Sequence, residues 1–216
     1  MAPPAKSRAR DWVPWIKLLL WPLLLFNAVR LGIAMYSVQT GSDVNALGAD
    51  PIAYLTHQTG AWAAYSLGLS LAMTPMRRLT GWPQWIRFRR LFGLFAFFYA
   101  SLHLATYAAL DLGFDLSHLL ADIIKRPYIT VGFTAWLLLV PLTITSTRGM
   151  MRRLGRRWGQ LHRLVYLIGV LVVLHYAWLV KADYFWPIVF GAVLAILLAM
   201  RWIPQRKRAG RSEHVA

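Results

Sequence analysis

The sequence predicts an all-α membrane protein: a six-transmembrane helix bundle with its N-terminus and C-terminus both cytoplasmic. Three observations predict it. Apolar stretches of about 20 residues, the length that crosses a hydrocarbon core ~30 Å thick, recur six times along the chain. Basic residues gather almost entirely on one side of those stretches, as a cytoplasmic face requires. Three histidines, His103, His162 and His175, lie inside them, where an ionisable ring is costly and marks a functional site by default.

At 58% hydrophobic residues and a mean hydropathy of +0.47, a chain of 216 residues is used up by one such bundle. The expected organisation is a cytoplasmic tail over 1–12, the six-helix domain over 13–203 and a basic cytoplasmic tail over 204–216. Cysteine is absent, which excludes disulfides, iron–sulfur clusters and thiol chemistry. A net charge of +16 would suit nucleic acid if it covered a soluble face. Here it falls between apolar segments, so membrane lipid is the expected partner and nucleic acid is not. Residues 1–15 carry positive charge ahead of an apolar run but no small-residue cleavage site, which reads as an uncleaved first helix. No G-x-G-x-x-G, Walker A, H-E-x-x-H or nucleophile elbow occurs, and no internal sequence repeat is evident.

The spans follow from their borders. Span one, 13–36, comes after Lys6, Arg8 and Arg10, contains Lys17, and is followed by Thr40-Gly41-Ser42-Asp43. Span two, 56–76, closes at Thr74-Pro75-Met76-Arg77-Arg78, and Arg87, Arg89 and Arg90 introduce span three, 90–112. Arg126-Pro127 opens span four, 128–147. Arg148, Arg152, Arg153, Arg156, Arg157 and Arg163 flank the turn into span five, 158–180. Span six, 185–203, ends among Arg201, Arg206, Lys207, Arg208 and Arg211. One side therefore holds all of the 24 basic residues except Arg30, Lys125, Arg126 and Lys181, which share the other with Asp43, Asp50, Asp111, Asp115, Asp122 and Asp183. The positive side is cytoplasmic. Trp12, Trp15, Trp62, Trp82, Trp85, Trp158, Trp186 and Trp202 fall near the span ends as an aromatic belt.

Spans three and five both run outward, so His103 and His175 share a depth towards the outer face while coming from different helices. A planar macrocycle held between two helices, with an imidazole on each side of its iron, needs that arrangement. His162 lies thirteen residues before His175, roughly 20 Å along a continuous helix. It either binds a second cofactor near the cytoplasmic face, as a third or second-haem ligand, or starts its helix against loop carbonyls. His57 at the outer mouth of span two is the reserve candidate, and His118 and His214 read as solvated. A rival class, a transporter or channel using histidines for protons or metal ions, is disfavoured because all eight acidic residues lie at or beyond the span borders.

Several stretches together resemble the MsrQ (YedZ) family. They are Leu47-Gly48-Ala49-Asp50-Pro51, Arg89-Arg90-Leu91-Phe92-Gly93-Leu94, Leu102-His103-Leu104-Ala105-Thr106-Tyr107 and Arg126-Pro127-Tyr128-Ile129-Thr130. Thr145-Ser146-Thr147, the run from Leu154-Gly155-Arg156-Arg157-Trp158 to Leu161-His162-Arg163-Leu164, and His175-Tyr176-Ala177-Trp178 complete the set. The resemblance covers about residues 45–182. It implies a ferric reductase-like transmembrane domain in the bacterial inner membrane, carrying haem b on His103, His162 and His175. It also implies flavin mononucleotide (FMN) and electrons from a cytoplasmic flavin reductase or from quinol. The acceptor it implies is the periplasmic molybdopterin enzyme MsrP, which reduces methionine sulfoxide; this chain would relay electrons without performing that reduction. The related oxidases carry two histidines on each of two helices, whereas span three here has one. An alternative within the same class is a ferric reductase-type haem protein with another acceptor.

Overall fold

The computed structural model describes residues 12–180 and 183–201. Apart from Trp12, the tails expected over 1–12 and 204–216 lie outside the described residues. So do Lys6, Arg8, Arg10, Lys181, Trp202, Arg206, Lys207, Arg208, Arg211 and His214. The described elements are helices: α1 Val13–Thr40, α2 Pro51–Thr80, α3 Ile86–Thr106 (prolonged by a π-helical turn, Tyr107–Asp111), α4 Leu116–Lys125, α5 Pro127–Ile144, α6 Arg148–Leu154, α7 Arg156–Leu161, α8 Leu164–Leu179 and α9 Phe185–Ala199. By length and composition, Val13–Thr40, Pro83–Asp111, Pro127–Ile144 and Arg156–Leu179 can each cross a membrane, and α9 is a shorter apolar helix.

Three features depart from the expected spans. First, α1 and α2 run past 13–36 and 56–76. The Asp50 carboxylate accepts a bond from Ala53 N–H at 2.9 Å and starts α2 before Pro51, while left-handed Gly41 and Gly81 end α1 and α2. Second, the outer connection after span three holds the separate helix α4. Its start is set by Asp115, which accepts from Ser117 N–H at 2.8 Å and His118 N–H at 3.1 Å. The Ser117 hydroxyl and the His118 ring, both also bonded to this carboxylate, help hold it well below the usual carboxylate range. Third, span five is not one continuous helix, because the chain turns at His162 and Arg163 between α7 and α8.

Proline 75 explains how the last helix is fastened. A proline inside a helix removes the N–H that would bond the carbonyl four residues earlier, here that of Leu71. Arg201, just beyond α9, supplies the missing donor: its Nη2 lies 2.5 Å from the Leu71 oxygen and its Nη1 lies 2.6 Å from the Tyr166 hydroxyl on α8. The guanidinium also lies 4.9 Å from the Tyr166 ring centroid. Arg78 answers from α2, its Nη1 reaching the carbonyls of Met200 at 3.0 Å and Arg201 at 2.7 Å at the end of α9. Two arginines counted above as topology signals therefore lock three helices together.

The core forms where α2 lies along α3 and α5 along α8, with α9 set against α8 and α2. Leu67, Leu71, Ala96, Ala135, Leu139, Val165, Ile168 and Leu194 meet at its centre. In lipid such contacts are driven by close van der Waals packing, and small residues permit it. Gly169 admits Leu194 and Leu71, and Gly191 admits Val173. A second cluster of Val13, Leu24, Phe88, Phe92, Phe95 and Tyr99 seats α1 on α3, where the Tyr99 hydroxyl donates to the Leu24 carbonyl.

Candidate functional site

His103 stands on the last turn of α3, and His175 lies near the C-terminal end of α8. Their ring centroids are 6.0 Å apart and their planes are inclined by 81°. The two rings are held in the same way. His103 Nδ1 is 2.9 Å from the Thr56 carbonyl on α2, and His175 Nδ1 is 2.7 Å from the Tyr128 carbonyl on α5. A carbonyl only accepts, so each Nδ1 carries the proton, and the Nε2 lone pair of each neutral ring is left free for a metal.

A glycine makes each contact possible. In an α-helix, residue i+4 sits directly over the carbonyl of residue i, whose second lone pair stays available only if nothing covers it. Gly60 follows Thr56 by one such turn, and Gly132 follows Tyr128 likewise. A Cβ at Gly132 would lie 2.6 Å from His175 Nδ1, and one at Gly60 would lie 3.1 Å from His103 Nδ1. Each carbonyl precedes its histidine by 47 residues, so α2–α3 and α5–α8 present two copies of one device. No sequence repeat was expected. The signal lies in Leu102-His103-Leu104-Ala105 against Leu174-His175-Tyr176-Ala177, with a glycine at the same distance before each. Gly60, Gly132 and the carbonyls of Thr56 and Tyr128 are the site groups that reading the side chains alone overlooked.

The pair sits close to the N-terminal ends of α2 and α5, the same end as the 41–50 connection and α4. Trp136 of α5 donates to Ser101 of α3 at 3.0 Å one turn further in, and Phe97 stacks on Trp136 with centroids 6.2 Å apart. These contacts fix α3 against α5 beneath the imidazoles.

His162 is not brought to the pair. It caps α7 at the opposite end of α8, its ring stacked on Trp158 at 4.0 Å and its Nε2 lying 3.0 Å from Thr145 Oγ1. The Thr145 hydroxyl proton goes to the Pro141 carbonyl at 2.6 Å, so Oγ1 accepts from His162 Nε2–H. This tautomer is the reverse of that in the pair. His57 is exposed on α2. His118 is 74% exposed and bonds Asp115 at 2.8 Å. Among the described residues no group of three or more His, Cys, Asp or Glu side chains could hold a metal ion. The site thus offers two nitrogen ligands, the number needed by a metal whose other positions are filled by a planar ring.

Paired imidazoles inside a bundle of long apolar helices define a membrane protein of the ferric reductase type, and residues 59–173 match the family described as ferric reductase like transmembrane component. A relative from Xanthomonas campestris pv. campestris (strain 8004), named protein-methionine-sulfoxide reductase heme-binding subunit MsrQ, is 56% identical over 82% of this chain and 81% of its own. Proteins of the same name from Xanthomonas euvesicatoria pv. vesicatoria and Herminiimonas arsenicoxydans are 58% and 49% identical, covering 76% and 85% of this chain and 74% and 86% of theirs. No solved structure matches the chain. The chain belongs to the MsrQ family and is a multi-pass membrane protein.

Proposed function

We propose that this protein is the haem b subunit of a methionine sulfoxide reductase system, passing electrons outward across the bacterial inner membrane to a periplasmic molybdopterin reductase of the MsrP kind. The observation that carries the reading is the imidazole pair. Two imidazoles on opposite sides of one metal, each at a bond length of about 2 Å, would have ring centroids roughly 6 Å apart, against the 6.0 Å here. Their Nε2 atoms are free, and the glycines leave room for the rings to lie against the helix backbones. His103 and His175 would hold the haem iron through Nε2. Bound there, haem supplies a one-electron iron couple. The protein's own part is to fix both rings through the carbonyls of Thr56 and Tyr128, beside the backbones of Gly60 and Gly132.

Six spans with both termini cytoplasmic are the arrangement we favour, with 13–203 as the membrane domain. The described carboxylates, Asp43, Asp50, Asp111, Asp115, Asp122 and Asp183, gather at the end that holds the imidazole pair, while Arg148, Arg152, Arg153, Arg156 and Arg157 mark the other. Electrons would enter at the arginine-rich end, from a flavin reductase or quinol, and leave near His175. From Leu164 to His175 is roughly 17 Å of helix at ~1.5 Å per residue, and His162 is the one described imidazole at the entry end. We assign it to that end and not to the haem shared by His103 and His175. The resemblance implies FMN as well; among the described residues, the groove between α8 and α9 is walled by Val170, Val173, Leu174, Leu194 and Leu198, whose side chains offer a phosphate no donor, so that groove is not the place for it.

An absorption spectrum of the purified full chain, oxidised and dithionite-reduced, tests the reading. The expected result is a low-spin six-coordinate haem b, most of it lost in His103→Ala and in His175→Ala and retained in His57→Ala. A colourless preparation from haem-replete cells, or full haem retention in His175→Ala, overturns it.

A further inference from the structure

Helix α4 carries an apolar stripe that none of the described residues covers. Leu116, Leu120 and Ile124, one turn apart, are 65%, 52% and 81% exposed, and Phe114 just before them is 78% exposed. Phe114 holds a left-handed backbone, φ 63°, that a bulky residue rarely adopts. Leu119 and Ile123 extend the stripe round to the bundle side and are only partly exposed. At 100° per residue the apolar arc spans about 140° of the helix, and Ser117, His118, Asp122 and Lys125 occupy the remainder.

The chain leaves this stripe little freedom. Four residues join α4 to Asp111 at the end of one membrane-length segment, and Arg126 alone joins it to Pro127 at the start of the next. Four residues reach at most about 14 Å. Side-chain bonds pull it closer still: the Tyr107 hydroxyl donates to Asp122, Arg126 pairs with Asp122 at 3.0 Å, and the Thr130 hydroxyl donates to the Ile123 carbonyl. A helix fastened on both sides to segments that cross the membrane stays at the membrane border, and there the apolar phase within reach is the acyl chains.

We propose that α4 lies in the plane of the outer membrane surface with Phe114, Leu116, Leu120 and Ile124 inserted among the lipids. Such helices bury their apolar face about 5–10 Å into the headgroup–acyl boundary. The contact anchors the outer ends of α3 and α5, and with α5 the Tyr128 carbonyl that orients His175. The inference rests on the membrane-spanning segments and stands whether or not the pair binds haem.

The absence of cysteine gives a clean test. The full chain is reconstituted in vesicles of phosphatidylethanolamine and phosphatidylglycerol, with a nitroxide attached to Leu120→Cys, Ile124→Cys, Ser117→Cys or His118→Cys in turn. Labels at 120 and 124 should be relaxed several-fold more by dissolved oxygen, which concentrates in acyl chains, than by a water-soluble nickel chelate. Labels at 117 and 118 should show the opposite order. Relaxation of the 120 and 124 labels by the chelate to the same degree as at 117 and 118 overturns the proposal, since the stripe then faces water. Immobilised labels shielded from both reagents overturn it too, because a protein surface then covers the stripe.

Discussion

At the scale of single residues, two glycines decide whether the imidazoles can take their places. Overpacking a filled site costs about 1–3 kcal/mol, and the two positions are not equally tight. A Cβ at 2.6 Å from His175 must displace the ring, whereas one at 3.1 Å from His103 asks for a shift of a few tenths of an ångström. Gly132→Ala should therefore lower the haem-to-protein ratio more than Gly60→Ala, with Gly68→Ala, whose nearest neighbour would be Phe190 at 3.7 Å, unchanged. The near-perpendicular rings add a spectroscopic expectation for the wild type, a strongly anisotropic low-spin ferric EPR signal, which Gly60→Ala should shift even where haem is retained. His162 belongs to a different prediction. With its Nε2 committed to Thr145 and its ring on Trp158, His162→Ala should keep most of the haem while slowing its reduction from the cytoplasmic side, as measured by stopped flow with a flavin reductase.

Among the helices, the fastening of α9 rests on a charge reaching a carbonyl that proline has stripped of its partner. Replacing Arg201 by methionine keeps much of the volume and removes the donors to Leu71 and Tyr166. Leaving a buried acceptor unmet costs about 1–3 kcal/mol. Arg201→Met should lower the midpoint of detergent-induced unfolding accordingly. Arg152→Met, on the exposed face of α6, should leave it unchanged. The same contacts bear on how arginines are read in a membrane sequence. Arg78 and Arg201 count towards orientation, and they also bridge helices, so neutralising them would confound any test of partner docking. The exposed residues Arg152, Arg153 and Arg157 are the better targets for that purpose.

For the whole molecule, direction is the property to test, because electron flow reverses its meaning if the bundle is inverted. A reporter active only in the periplasm should be active when inserted in the 43–50 connection and silent when fused after Arg208. The opposite pattern would place the imidazole pair on the cytoplasmic side and remove the outward relay proposed above. Charge supports the first outcome: the described carboxylates and the pair share one end, and the exposed arginines of α6 and α7 lie at the other.

Much of this was legible in the sequence, because the lipid environment imposes simple rules on a chain. Span-length apolar runs, the placement of arginines and the expense of a histidine in hydrocarbon are properties of single residues and their order. They locate the helices and single out His103 and His175, since depth along a helix follows from counting. Three things lay beyond counting. The shared device of carbonyl and glycine depends on which helix packs against which, so Gly60 and Gly132 acquire meaning only beside rings 43 residues further along the chain. The break at His162 depends on Thr145, at the end of α5, which takes hydrogen bonds from both His162 and Trp158, the ring stacked beside it on α7. The pairing of Arg201 with the carbonyl freed by Pro75 joins groups 130 residues apart. Sequence determined which segments are apolar enough to lie in a membrane and where along them each histidine falls, because transfer into lipid acts on each residue separately; the tertiary structure decided which atoms meet, because a hydrogen bond requires two groups to lie within about 3 Å of each other.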